Sequence, residues 1–340
     1  MKTIIFIFIV FFAHLAGHAQ DPHFSQFFSA PMYLNPAQTM NTDADYRLMS
    51  NFRSQWINPA APYITGVLSA ETRLLKKTTN DNILGGGISL MHDYTFDGIL
   101  KSNYASGFMA YHSFLDEEKT KKLSVGFGGT YGKKSLDFSR LVFAEQFTTG
   151  GFNTSMPSGE TLSNMKSFLS LSSGINYSYS NESINFEIGA SGYHLNNPKQ
   201  TFLNDQYQTI PKRFTGNAMI DFQLKNSDII NFSAVYQHQS NIDYYLIGTN
   251  YAFNLSRLGK ISSDETVYLN VGAFYRPNDA IIPYISYYIN DFQFGFTYDE
   301  TISKLALTNS KAKTFEMSMS YRFKKGERDG SIKCPYSPWK

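Results

Sequence analysis

The final strong segment of the chain alternates between apolar and polar residues, reading TFEMSMSYRF from Thr314 to Phe323. Successive side chains of a β-strand point to opposite faces, so this segment has one apolar face and one polar face. Similar alternation recurs along most of the chain, with clear examples at 123–131, 169–179, 184–188, 267–271 and 292–298. The pattern predicts an all-β protein.

We place about 14 antiparallel strands on this pattern, with boundaries good to a few residues. The predicted strands cover 45–56, 62–75, 82–94, 99–115, 121–134, 166–180, 183–195, 212–225, 228–239, 242–254, 265–276, 280–290, 291–300 and 312–324.

The polar positions distinguish a membrane barrel from a soluble sheet. A sheet face in water usually carries many Lys and Glu, whereas a crowded barrel lumen favours small polar side chains. The polar face of one strand consists of Ser170, Ser172, Gly174, Asn176 and Ser178. We therefore predict a transmembrane outer-membrane β-barrel, with a soluble β-sandwich or propeller as the alternative.

The connection lengths predict which end of the barrel faces outward. Long connections near 135–165, 196–211 and 301–311 follow strands five, seven and thirteen, so all three emerge at the same end. Connections after even-numbered strands are mostly short, although 255–264 is an exception. Outer-membrane barrels have short periplasmic turns and longer outer loops. The even strand count would return the chain to the periplasmic side.

The first 19 residues read as a secretion signal. Lys2 precedes the apolar run 4–12, and Gly17-His18-Ala19 is a small-x-small cleavage site. The apolar run is too short for a transmembrane anchor, which is the alternative. His18 occupies the place of a lipoprotein cysteine, so no lipid anchor is expected. We predict a mature start at Gln20 and localisation in the cell outer membrane as a multi-pass protein after cleavage.

Composition excludes several kinds of site. Aromatic residues make up 16% of the chain, which suits aromatic girdles at both membrane rims. A net charge of +2 gives no indication of nucleic-acid binding. Cys334 is the only cysteine, which excludes an internal disulfide and a thiolate metal cluster. We therefore predict no cofactor and no metal.

One pair of residues resembles a catalytic site. His238 and Ser240 lie two apart, on one face of a strand, and outer-membrane phospholipase A carries a similar His-x-Ser-Asn run. In that family a glycine and an arginine follow, whereas Ile242 and Asp243 follow here. We expect no catalytic residues and no enzyme. We interpret Gly85-Gly86-Gly87 as tight barrel packing.

The segment from Gln20 to Ala37 reads QDPHFSQFFSAPMYLNPA and resembles the N-terminal signature of the PorP/SprF family of type IX secretion membrane proteins. Late segments at 275–283, 298–305 and 334–336 resemble other motifs of that family. The positions that carry the resemblance include Asp21, Pro22, Gln26, Asn35, Pro36, Arg276, Tyr298, Asp299, Ser303, Glu316 and Tyr321.

The resemblance implies a non-enzymatic outer-membrane barrel of Bacteroidota that serves type IX protein secretion. It implies surface display or anchoring of secreted proteins, among them the adhesins of gliding motility. The implied partners are outer-membrane lipid, the type IX secretion ring, peptidoglycan-linking periplasmic proteins, and secreted surface proteins or adhesins. Two alternative functions are a transport channel, which an open lumen would favour, and a phospholipase.

The resulting organisation has four parts. A signal peptide covers 1–19, a periplasmic N-terminal segment or plug covers 20–44, the barrel covers 45–324, and a periplasmic tail covers 325–340. Apolar residues before the first strand need a dry environment, either as a plug or on a partner, and the tail ends in two aromatics. The candidate partner-binding or plug residues are Phe24, Phe27, Phe28, Tyr33, Leu34, Tyr336 and Trp339.

Overall fold

A computed structural model describes residues 21–57, 61–75, 82–159, 165–201, 208–258, 266–303 and 313–324. Its main feature is a closed antiparallel barrel of 14 strands. The strands are β1 Tyr46–Gln55, β2 Tyr63–Leu75, β3 Ile83–Thr95, β4 Leu100–Phe114, β5 Lys121–Leu136, β6 Phe168–Ser180, β7 Ile184–Tyr193, β8 Arg213–Gln223, β9 Ile229–Gln239, β10 Ile242–Asn254, β11 Val267–Arg276, β12 Ala280–Ile289, β13 Phe292–Thr301 and β14 Lys313–Phe323.

The strand prediction is confirmed, with each boundary within a few residues of its predicted position. Each strand pairs with its neighbours in sequence, and β1 closes the sheet by pairing with β14. That seam runs from Tyr46 opposite Phe323 to Ser54 opposite Phe315. Closure leaves no free sheet edge, as a structure within hydrocarbon requires.

The two faces of the wall separate as the alternation predicts. Outward positions are mainly apolar and exposed, as at Ile88 and Phe127, which are 68% and 64% exposed. Inward positions carry buried polar residues such as Ser124, Asn176 and Glu316. An exposed apolar wall around a polar interior is the arrangement expected in a bilayer.

The two ends of the barrel differ in their connections. We call the end that carries the β2–β3, β4–β5 and other even-to-odd connections the turn end, and the opposite end the loop end. The described part of the connection between β5 and β6, at the loop end, includes a short hairpin, Phe147–Thr148 with Gly151–Phe152, where the sequence indicated only a loop. The β10–β11 connection at the turn end includes a 3₁₀ turn at Ser256–Leu258.

Residues 21–44, which precede β1, contain short helical turns. These are 3₁₀ turns at Phe27–Ser29 and Pro36–Gln38 and the helix α1 at Pro31–Leu34. Prolines begin the second and third of these elements, where the missing N–H is tolerated. In the described parts of the chain, no helix is long and apolar enough to cross a membrane.

Candidate functional site: a lumen filled by the N-terminal segment

Residues 21–44, which we call the luminal segment, pass through the inside of the barrel. At the loop end, the backbone N–H of Asp21 donates to Gln239 Oε1 over 2.8 Å. Near the turn end, the Met40 N–H donates to Glu71 Oε2 over 3.0 Å. Gln239 ends β9 and Glu71 lies near the turn end of β2, so the segment extends between the two mouths.

This path separates the two alternatives given for residues 20–44. A segment confined to the periplasmic end would place both Asp21 and Asp45 at the turn end. Asp45 does lie there, with its N–H donating to Phe323 O over 2.9 Å, but Asp21 lies at the opposite mouth. The even number of strands determines only the end of the barrel at which β1 begins. The preceding residues lie in the lumen because their apolar side chains are buried there.

The predicted apolar residues of the segment pack against the barrel's inner wall. Phe24, Phe27 and Leu34 are buried, while Phe28 and Tyr33 are half-buried. The Phe27 ring lies 6.2 Å from Phe274 in edge-on geometry, and the Phe28 ring lies 5.5 Å from Tyr284. The Tyr33 ring lies 6.0 Å from Phe108. These side chains therefore find their dry environment inside the same molecule.

A buried carboxylate, Glu316 of β14, holds the luminal segment at Ser25 and Gln26. Its two oxygens accept the backbone N–H groups of Ser25 and Gln26 over 2.7 and 2.9 Å. Arg53 of β1 forms an ion pair with it at 3.0 Å. The Gln26 side chain adds a bond to Glu316 O at 3.1 Å. A buried charge is costly unless it is paired and hydrogen-bonded, and here both conditions are met.

A second charged contact fixes Asp21 at the loop end. Its carboxylate lies 3.1 Å from Arg213 Nη1 and 2.8 Å from His194 Nε2. Burial alone would raise the pKa of Asp21, but Arg213 and His194 outweigh it and hold the pKa below the ordinary value. Asp21 is therefore ionised at neutral pH, which maintains its attraction to Arg213.

Asn35 fixes the centre of the segment through both ends of its side chain. Its oxygen accepts the Ala37 N–H over 2.9 Å and so caps the turn Pro36–Gln38. Its amide nitrogen donates to Ile175 O over 3.0 Å and contacts Asn217 Oδ1 at 3.3 Å. The local turn and the barrel wall are thereby joined by one residue.

Inward-facing glycines make room for this segment. A Cβ added to Gly126 would lie 2.3 Å from the backbone of Pro36 and Ala37, and one added to Gly174 would lie 2.0 Å from Asn35 Oδ1. Gly85 and Gly87 face the segment in the same way, with Met40 Cβ and Met32 Sδ each at 2.5 Å. The close contact predicted at the glycine triplet is thus partly with the luminal segment and not only within the wall.

The turn end has its own charged contact. Glu71 of β2 accepts Arg47 Nη2 over 2.6 Å as well as the Met40 N–H. Asn41 donates to Glu187 Oε1 over 2.8 Å. Beside these contacts lies a cavity of about 30 Å³, space for roughly one water molecule. The segment and the wall line this cavity together, so the segment occupies the lumen at this level.

Most family-motif residues converge on the segment or on its contacts. Asp21, Gln26, Asn35, Pro36 and Glu316 take part directly, and Pro22 is half-buried beside them. Arg276 is paired with Asp299 at 2.7 Å and with Asp279, and it reaches Ser25 Oγ at 3.4 Å.

Three other motif residues lie away from the lumen. Tyr298 and Tyr321 project from the outer face of the wall, and the Ser303 N–H bonds to Asp279 O at 3.3 Å at the loop end. The predicted signal peptide, Gln20, Cys334, Tyr336 and Trp339 lie outside the described residues.

Sequence reasoning missed several residues that hold the segment. They are Arg47, Arg53, Glu71, His194 and Arg213. The alternation of the strands offered a signal for four of them. Each of these four is a charged residue at an inward-facing strand position among small polar neighbours, whereas His194 follows β7. Such a charge requires a buried partner.

His238 is bonded to Asp243 and not to Ser240. His238 Nδ1 bonds to Asp243 Oδ1 at 2.8 Å, directly across from it on β10. Ser240 occupies the two-residue turn to β10 with a positive φ of 59°. The described residues therefore give no serine–histidine pair here. Within the same described ranges, no group of three or more His, Cys, Asp or Glu is placed to hold a metal.

Comparison with known proteins identifies relatives by sequence and by shape. The family model described as type IX secretion system membrane protein PorP/SprF matches residues 16–321. No curated protein sequence matches the chain.

Solved structures with a similar shape share little sequence. They include the toluene transporter TbuX of Ralstonia pickettii, with 11% identity, a TM-score of 0.48, and coverage of 87% of this chain and 94% of that one. The toluene transporter TodX of P. putida has 8% identity and a TM-score of 0.48, covering 86% and 93%. CdiB of Acinetobacter baumannii has 12% identity, a TM-score of 0.42 and 82% coverage of this chain, which spans 60% of CdiB's length.

Proposed function

The chain belongs to the PorP/SprF family of type IX secretion system membrane proteins, and on that basis we propose that it is a non-enzymatic anchoring component of the secretion system. In this role the barrel holds a fixed position in the outer membrane and connects secreted surface proteins outside with periplasmic machinery inside. The cargo is a secreted protein displayed at the surface, an adhesin in the case of gliding cells.

The filled lumen is the observation that carries this proposal. A passive channel needs a continuous aqueous path, whereas residues 21–44 occupy the interior between the two mouths. Buried charges hold that segment at both levels near the mouths, through Asp21 and Glu71. An anchor needs a rigid body and no path, so the filled barrel favours anchoring over transport.

The channel alternative has a direct test. Purified protein in planar bilayers should show no steady conductance if the luminal segment stays in place. A variant that weakens the segment, Glu316→Ala, should conduct more often than the parent protein. Steady conductance from the parent at neutral pH would favour the transport function instead.

Periplasmic partners are expected at the turn end. The described chain leaves the barrel there after Phe323 and Lys324, and the tail that follows carries four basic residues with Tyr336 and Trp339. Aromatic and basic residues together are typical of protein-binding surfaces. We therefore assign contact with the ring and peptidoglycan-linking proteins to residues 325–340.

The tail assignment is tested by deleting residues 326–340. We expect the barrel to fold and the crosslinked recovery of periplasmic secretion components to fall. A heat-modifiability gel on the same sample controls for folding. Full recovery of the partners with the confirmed truncation would exclude the tail as the docking site.

We place the contacts with secreted cargo at the loop end, on the long connection between β5 and β6. This connection presents exposed apolar side chains, including Phe147 and Phe152, whose rings lie 5.0 Å apart. Replacing both with Ser should reduce cargo recovery and leave the periplasmic partners bound. Unchanged cargo recovery would exclude this hairpin as the contact.

A further inference from the structure

Two lysines stand side by side on the membrane-facing wall at the loop end. Lys101 of β4 and Lys133 of β5 both project outward and are exposed. Asn103 pairs with Lys133, and Lys101 pairs with Ser135, which makes the two lysines diagonal neighbours on adjacent strands. Diagonal neighbours in a sheet lie about 7–8 Å apart, so the two ammonium groups can reach one ligand.

Their depth places them at the lipid headgroups. On the outward face of β5, Lys133 follows Phe127, Gly129 and Tyr131 at alternating positions, and Phe127 and Tyr131 are 64% and 54% exposed. Tyrosines mark the interface of membrane proteins, so Lys133 lies just beyond the hydrocarbon. The loop end is the outer side by its long connections, so these headgroups belong to the outer leaflet.

Within the described residues, neither lysine has a carboxylate at ion-pair distance, although other charges at this rim face an opposite charge. His238 faces Asp243 at 2.8 Å, and Glu300 stands opposite Lys313 in the strand register. Over the described residues, Lys101 and Lys133 form no ion pair.

The acidic groups nearby are already bonded elsewhere. Asp97 binds Arg140 at 3.1 Å, and Asp137 accepts the Ser139 hydroxyl at 2.6 Å. Lys101 interacts electrostatically with the Asp137 carboxylate, which it shares with Arg140. One shared carboxylate does not neutralise two lysines, and an anion between Lys101 and Lys133 would add the missing charge.

Below the lysines the wall is recessed. Gly107 and Gly129 pair with each other, face outward, and would meet nothing within 4 Å if a Cβ were added. The same row continues to Ile88 on β3 and Leu171 on β6, which project as exposed apolar side chains on either side. One outward row, Ala105 paired with Tyr131, separates this notch from Lys133.

We propose that this surface binds the phosphorylated glycolipid of the outer leaflet, with a phosphate between Lys101 and Lys133 and one acyl chain in the Gly107–Gly129 notch. Ammonium groups attract phosphate oxygens strongly at the edge of a low-dielectric medium. His92 and Asn103, which are bonded to each other at 2.7 Å beside the lysines, provide further polar contacts for the sugar. The site uses neither the luminal segment nor the tail.

The test measures lipid A binding to the purified barrel by native mass spectrometry. Changing both lysines to Gln should weaken lipid A binding about 25-fold, which corresponds to ~1 kcal/mol for each lysine. The matched control is Lys121→Gln, on the same strand and the same face but at the turn-end rim, and it should bind as the parent does. Removing the phosphates from lipid A should have the same effect as removing the lysines. The affinity of the parent for dephosphorylated lipid A should not exceed the affinity of the double variant for lipid A.

A second pair of variants tests the notch. Gly129→Leu should weaken binding, whereas Gly216→Leu, at another outward glycine with open space around it, should not. Heat-modifiability gels establish folding for every variant. Equal lipid A affinity in the parent and the double variant, or equal affinity of the parent for phosphatidylglycerol and lipid A, would overturn the proposal. Because no secretion partner is present, failure here is separate from failure of the anchoring function.

Discussion

Adding a single methyl group at Gly126 should loosen the luminal segment. The Cβ of alanine would lie 2.3 Å from Ala37 N and from Pro36 C. Carbon atoms in contact prefer separations of about 3.5 Å or more, so one backbone must move by roughly 1.2 Å. Both contacts are backbone atoms, which cannot rotate away as a flexible side chain would. Asn35 restrains the segment before the clash, and the bond from the Met40 N–H to Glu71 restrains it after the clash.

The expected cost follows from overpacking of a filled interior. Inserted groups of this size usually cost about 1–3 kcal/mol. If this cost falls on the docking of the segment, the undocked population rises about 5- to 150-fold. The change should not unfold the barrel, because the strand pairing of β5 with β4 and β6 does not involve the side chain.

Cysteine labelling measures this population. Ala30, which is 3% exposed within the segment, is changed to Cys in a Cys334→Ser background, and its reaction rate with a water-soluble maleimide is recorded. Gly126→Ala should raise the rate within the stated range. Gly216→Ala is the matched control, since its Cβ meets no atom within 4 Å. Equal rates in the Gly126 and Gly216 variants, with both barrels folded, would refute the reasoning.

Three further outcomes are expected. Folded protein should resist detergent until boiled and migrate differently before and after heating; identical mobility of demonstrably folded samples would contradict the closed barrel. Phe323→Asp should lower the amount of folded barrel in the outer membrane, because it removes the ring 6.1 Å from Tyr46 at the rim; the direct cost is only about 0–1 kcal/mol, so normal levels would count against a role for this aromatic in assembly. Glu316→Gln should destabilise the barrel by about 3–5 kcal/mol in denaturant titrations, because it leaves Arg53 without its buried counter-charge, and an unchanged midpoint would contradict that role.

The strands were predictable because each carries its own pattern. The segment predicted at 312–324 forms β14 at Lys313–Phe323, and both faces follow the alternation. A membrane barrel imposes this period on every strand, since lipid contacts one face and the lumen the other. Turn geometry then fixes the order of neighbours without long-range information.

The luminal segment was not predictable in the same way. Its sequence showed that Phe24 and Phe27 needed burial, but the position of the burying surface is a tertiary fact. Prolines at 31 and 36 interrupt regular structure, so no period marks its path. The alternation of its strand assigns Gly126 to the inward face of the barrel. The sequence does not show which residues Gly126 contacts there. The family motifs were informative for this reason: Gln26 and Glu316 are far apart in sequence and bonded in the fold.

The closure of the barrel and the anchoring of the luminal segment depend on the same residues. Arg53 and Glu316 are register partners across the β1–β14 seam, and the Glu316 carboxylate also binds the N–H groups of Ser25 and Gln26. If β14 paired with β1 over an empty lumen, the buried ion pair would lose two of its hydrogen bonds, and such a loss is costly at low dielectric. The segment is therefore favoured inside the barrel at the stage when the last strand pairs with the first. A barrel that closes around its own N-terminal segment is suited to rigid attachment, since opening a path through it would weaken the seam itself.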